Sequence, residues 1–122
     1  MNYFKLFFFS LIVFVFNNNA FSADAVKGEK LFTKCKACHN PDAPKHKVGP
    51  HLVGIVGRKA GAAEGYTKYS KDLKDSGIVW DAANLDKWLT GPKAMYPKTK
   101  MIYPGLKKAE DRADLIEYLK TK

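Results

Sequence analysis

The sequence predicts an all-α domain, with three main helices, short extra helices and long connecting loops. Three stretches place apolar residues at helical spacing between recognisable caps, and strand-like alternation is sustained nowhere. Five glycines between residues 48 and 65 break any helical period and mark a long loop.

The first segment stands apart from that domain. Lys5 precedes an apolar run, Leu6–Phe16, broken only by Ser10, and three asparagines and then small residues follow. This is the layout of a secretory leader. Residues 1–23 are therefore assigned to a signal peptide and residues 24–122 to the domain. Small residues at −3 and −1 fit Ala20/Ser22 or Ala23/Ala25, which puts cleavage between residues 20 and 25. The alternative is a retained inner-membrane anchor facing the periplasm. As a helix the apolar run would reach about 16 Å, against a hydrocarbon core of about 30 Å. Export sets the compartment as a bacterial periplasm or its topological equivalent.

Ala25–Lys36 reads as the first helix, with Gly28, Phe32 and Cys35 on one face and Pro41 and Pro44 beyond its end. Asp81 is placed to cap a helix over Ala82–Thr90, which Gly91-Pro92 closes. Ala109–Lys120 carries Leu115, Ile116 and Leu119 on its apolar face. Its acidic start (Glu110, Asp111) and basic end (Lys120) suit the helix dipole. Short helices are expected near Ser70–Asp75 and Lys93–Tyr96. A domain this small struggles to bury a sufficient core unaided, so its loops need something central to pack around.

Cys35-Lys36-Ala37-Cys38-His39 is a C-x-x-C-H, the attachment signal for c-type haem. On one helical turn two thiols can reach two vinyl groups of a porphyrin, and the histidine then faces the iron. A thioredoxin-like pair would need an α/β context that is absent here. A zinc site would have to recruit His46 or His51. For a second axial ligand the candidates are Met95, Met101, His46 and His51. Met101 lies in the Pro- and Gly-bounded stretch Pro97–Gly105, and a loop of that kind can cross to the opposite face, which favours Met101 without removing the other three.

Charge bears on partners. All 12 acidic residues lie after position 23 and only Lys5 among the 21 basic ones lies before it, so the domain carries 20 against 12. That surplus of eight suggests docking to a negative surface. Nucleic acid, the usual partner of a basic chain, is excluded by export and by the lack of any nucleic-acid motif; weak contact with anionic lipid is compatible. Two cysteines exclude a disulfide scaffold. An apolar fraction of 46% with eight Phe, six Tyr and two Trp excludes wholesale disorder.

Gly28-Glu29-Lys30-Leu31-Phe32, Cys35–His39, Val48-Gly49-Pro50, Gly57-Arg58-Lys59, Pro97–Met101 and Leu115–Lys120 occur in that order. Together, over about Ala25–Lys122, the chain resembles the class I c-type cytochromes, both mitochondrial and bacterial periplasmic. The resemblance implies the small cytochrome c fold, wrapped around one covalent haem c. It implies haem attachment at Cys35 and Cys38, with His39 and Met101 as the iron's axial ligands, and a Pro50 carbonyl that holds the His39 ring. Arg58, Tyr69, Trp80 and Thr99 match positions near the propionates, with Tyr66 an alternative to Tyr69. Gly28 and Phe32 should meet the Leu115–Tyr118 stretch where the terminal helices cross. Three departures stand out: Lys98 where glycine is common, Tyr103-Pro104 in place of Phe-Ala, and Trp88 where a tyrosine often bonds the ligand sulfur.

The resemblance further implies an electron carrier rather than an enzyme, most simply a monomer. It would run from a bc-type quinol-oxidising complex to a terminal oxidase. Lys34, Lys36, Lys93, Lys98, Lys100, Lys107 and Lys108 would meet acidic faces on those partners around the haem edge. Two rivals are an open-iron enzyme or sensor, motivated by strain at Lys98, and a zinc module.

Overall fold

The computed structural model describes residues 12–15 and 22–122. The assignment of residues 1–23 to a leader falls almost wholly outside them. Among the described residues five α-helices follow in chain order: α1 (Ala25–Phe32), α2 (Lys71–Lys74), α3 (Ala82–Thr90), α4 (Pro92–Met95) and α5 (Ala109–Leu119). Among the described residues no strand forms; a single antiparallel bridge joins Lys59 and Val79. None of the described helices is long and apolar enough to cross a membrane.

α1 is shorter than its apolar spacing suggests. After Phe32 the chain tightens into a 3₁₀ turn, Thr33–Cys35, then into hydrogen-bonded turns from Cys38 and His39 to the Cys35 carbonyl (3.1 and 2.9 Å). Spacing of i, i+3 and i+4 cannot separate the two helix types, because both bring such residues to one side. Asp24 caps α1, accepting from the Val26 and Lys27 amides. Asp81 caps α3 as expected, accepting from Asn84 N–H at 2.7 Å. Proline opens α4, where its missing donor costs nothing.

α1 and α5 cross at Gly28. A Cβ there would stand 2.0 Å from the Asp114 carbonyl oxygen and 2.8 Å from Tyr118 Cβ, so only glycine lets the backbones approach this closely. Phe32 and Tyr118 complete the crossing, with ring centroids 5.3 Å apart. Leu115, Ile116 and Leu119 carry the α5 face into a core shared with Leu85, Trp88 and Leu89 of α3. Arg112 ties α5 to α3 through Asp86 at 2.7 Å. Lys122 reaches Asp42 at 2.9 Å. The long loops cover the remaining side of this helical frame.

Candidate functional site

A cavity of about 440 Å³ opens between the helical frame and the loops, walled largely by apolar side chains. All nine residues singled out from the sequence line it: Cys35, Cys38, His39, Pro50, Arg58, Tyr69, Trp80, Thr99 and Met101. Its helical wall is Phe32, Leu85, Trp88, Leu89, Leu115 and Leu119.

The 3₁₀ turn after α1 presents Cys35 and Cys38 as two free, half-buried thiols. Burial, and then the neighbouring Cys38, push the Cys35 thiol above its usual range. His39 follows on the same turn. Its Nδ1 donates to the Pro50 carbonyl at 2.7 Å, since a carbonyl can only accept. That bond sets the tautomer and leaves Nε2 as the open lone pair. Burial holds the His39 pKa below its ordinary value; the Pro50 bond opposes this and the Arg58 charge adds to it. A neutral imidazole is the form that binds a metal.

Gly49 was missed as a functional residue. A Cβ at this position would lie 2.4 Å from His39 Cε1 and 2.8 Å from Nδ1, so the loop backbone is packed flat on the imidazole. The Gly-Pro pair in an otherwise polar loop was its one signal in the sequence.

Met101 reaches the cavity from the loop that follows α4. Thr99, buried, accepts the Met101 amide at 3.3 Å and donates its own amide to the Tyr96 carbonyl at 3.0 Å. Lys98 corrects an expectation. No residue other than glycine has positive φ among those described, and the Lys98 amide donates to Asp72 Oδ2 at 2.9 Å. The glycine-to-lysine departure therefore introduces no backbone strain, and this loop is anchored.

Arg58 and Trp80 arrive together because their backbones pair: Trp80 N–H donates to the Arg58 carbonyl at 2.8 Å, beside the Lys59–Val79 bridge. The Arg58 guanidinium donates to the His51 carbonyl at 2.9 Å and more distantly to Val53 at 3.4 Å. Its Nε is buried without a partner. Burial holds the Arg58 pKa below its normal value, the sign of a cation short of compensation.

The two tyrosines separate by what their hydroxyls do. Tyr66 donates to the Val48 carbonyl at 2.8 Å, whereas Tyr69 accepts from the Ala63 amide at 3.1 Å and keeps its own proton to give. Trp88 packs between Trp80 and Tyr96, its ring tilted to each, at centroid distances of 5.3 and 6.3 Å. His46 and His51 stack on each other at 5.1 Å, and His46 Nε2 is bonded to the Glu64 carbonyl at 2.7 Å. Neither of them, nor Met95, lines the cavity, so the zinc arrangement with Cys35 and Cys38 is not assembled. Lys34, Lys68 and Lys100 stand at its wall.

The family model for cytochrome c matches residues 25–122. The chain is 49% identical over 110 residues to a cytochrome c2 of Rhodomicrobium vannielii, covering 88% of this chain and 86% of that one. It is 45% identical over 105 residues to a cytochrome c of Sesamum indicum, covering 84% and 94%. Among solved structures, cytochrome cH from Methylobacterium extorquens superposes with a TM-score of 0.77 at 51% identity, covering 82% of this chain and 100% of that one.

Proposed function

The chain belongs to the cytochrome c family, and from that premise we propose a periplasmic one-electron carrier running from a bc-type quinol-oxidising complex to a terminal oxidase. Members of the family carry one covalent haem c with its iron and are electron-transfer proteins, not enzymes. The haem supplies a metal that alternates between +3 and +2.

The residues at the cavity fit that group. An apolar chamber suits a porphyrin face, and two adjacent thiols suit its two vinyl carbons. The buried, unpartnered Arg58 Nε suits a propionate. In this reading Cys35 and Cys38 would hold the haem covalently, and His39 Nε2 and the Met101 thioether would bind its iron. Pro50 orients His39. Arg58 and the Tyr69 hydroxyl receive the propionates, with Trp80 and Thr99 beside them. The observation that carries the proposal is the His39 Nδ1–Pro50 bond, 2.7 Å long, which frees Nε2 in the same cavity that Met101 reaches. Were both residues to bind the iron, no position on it would be left for a substrate. A soft thioether favours the reduced metal and raises the potential. The open-iron alternative rested on strain at Lys98, and that residue is unstrained.

For docking, Lys34, Lys36, Lys93, Lys98, Lys100, Lys107 and Lys108 are all exposed and none is ion-paired among the described residues. Free ammonium groups, two of which (Lys34 and Lys100) stand at the cavity wall, would steer encounter with acidic partners, raising on-rate more than affinity.

Visible absorption of the exported protein, oxidised and then reduced, tests the reading. Low-spin bands are expected, with a weak far-red methionine-to-iron band that vanishes in Met101→Ala. A high-spin spectrum shifted by carbon monoxide would overturn it.

A further inference from the structure

We propose that the leader is removed by hydrolysis of the Ser22–Ala23 bond, so that the mature chain begins at Ala23 and keeps Asp24. This rests on the export reading above. The cut adds one water, leaving a carboxylate on Ser22 and an ammonium on Ala23.

From the sequence alone both Ala20/Ser22 and Ala23/Ala25 fit a small-x-small cleavage signal, and the second would put the cut after Ala25. The fold separates the two, because Asp24 is built into it four times. Its carboxylate accepts from the Val26 and Lys27 amides at 2.8 and 3.3 Å. Its carbonyl accepts from the Gly28 amide at 3.0 Å, at the residue where α1 crosses α5. Its own amide donates to Asp114 Oδ1 at 2.7 Å.

The last bond matters most. Asp114 is only 5% exposed, and the Asp24 amide is its carboxylate's one hydrogen-bond donor among the described residues. A buried carboxylate stripped of its donor bears the full desolvation cost. A cut after Ala25 would do that, uncap α1 and orphan the Gly28 amide. A cut after Ser22 keeps all four bonds and still satisfies the −3/−1 rule through Ala20 and Ser22. Ser22 is exposed whereas Ala23, Asp24 and Ala25 are half-buried, so the chain enters the domain at Ala23. The new ammonium would sit at the positive end of α1, where the Asp24 and Asp114 carboxylates offset it.

The precursor, with its own leader, should be exported in a host that attaches haem, and the product's intact mass and N-terminal sequence read. The expected mass is that of residues 23–122 plus one haem. A start at Val26, a start anywhere else, or a retained leader would overturn the proposal. The haem absorption of the same sample reports the carrier reading separately: coloured protein with another N-terminus sinks only the cut, and colourless protein starting at Ala23 sinks only the carrier. In a second comparison the leader is fused directly to Ala23 or to Val26. The Val26 product should melt at least about 4 °C lower; equal melting temperatures would refute the requirement for Asp24.

Discussion

The crossing of α1 and α5 and the loop wall opposite it are built from different materials. At the crossing, side chain meets side chain and backbone meets backbone: Gly28 against Asp114, Phe32 against Tyr118, Leu115 and Leu119 into the shared core. The loop wall is held by hydrogen bonds between a side chain and a backbone group: His39 to the Pro50 carbonyl, Arg58 to the His51 carbonyl, Tyr66 to the Val48 carbonyl, and the Lys98 amide to the Asp72 carboxylate. It faces a cavity of about 440 Å³ rather than a packed layer. One region packs chiefly on its own residues, although Phe32, Leu115 and Leu119 also form part of the cavity wall. The other is a set of ties whose apolar filling comes from the haem.

Emptying the cavity is the harshest way to break that comparison. At about 24 cal/mol per Å³, a void of this size costs about 10 kcal/mol, comparable to the whole stability of a small domain. The haem-free variant Cys35→Ala/Cys38→Ala is therefore expected to lose cooperative thermal unfolding, measured by calorimetry, while keeping some helical circular dichroism from the terminal helices. A native-like cooperative transition would show that the loop wall supports itself.

Next in size is a pair of glycine substitutions that should separate the regions. Gly28→Ala forces a Cβ against backbone and should destabilise the holoprotein by about 3 kcal/mol in guanidinium titration, leaving its visible spectrum unchanged. Gly49→Ala forces one against the His39 ring, so it should shift the spectrum and the potential as well as the midpoint. Identical spectra in both variants would mean that the loop yields and the imidazole does not.

Arg58→Leu comes third. Losing the bond to the His51 carbonyl and the charge at the cavity should destabilise the protein by about 2 kcal/mol. If Arg58 stands beside the haem as proposed, removing its positive charge stabilises the oxidised iron, so the potential should fall. It should also fall further with rising pH, as a propionate deprived of its cation ionises late. Spectroelectrochemistry across a pH series reads both effects, and an unchanged potential would detach Arg58 from the propionates.

The smallest effect is expected at Lys98→Gly. Because Lys98 has ordinary φ, glycine relieves nothing there and only adds freedom to the unfolded chain. A loss of up to about 1 kcal/mol is expected. A gain in stability would restore the idea of strain in the Met101 loop.

How legible each region was in the sequence follows the same division. α3 was readable to the residue because its limits are local: an aspartate cap before it and Gly-Pro after it. The attachment turn was readable because five adjacent residues carry its chemistry. The Asp24–Asp114 bond joins positions ninety apart, and no local pattern announces it. Gly49 against His39, Arg58 against His51 and the division of labour between Tyr66 and Tyr69 were illegible for a related reason. Each depends on how an irregular loop folds back, and such loops have no period to read. Resemblance to the family named Arg58, Trp80 and Thr99; only the backbone pairing of Arg58 with Trp80 explains why two of them travel together.

The partner of α1 lies at the far end of the chain, and this sets a schedule for its manufacture. The ribosome releases the stretch from Ala25 to His39 long before α5, which begins at Ala109. At about 5–20 residues per second, Phe32 waits roughly 4–15 s for the helix that will bury it. Throughout that interval the native crossing cannot form, so the two thiols beside it ride on an open strand. The fold cannot close this crossing until the stretch that forms α5 is present, so the segment carrying Cys35 and Cys38 stays open until then.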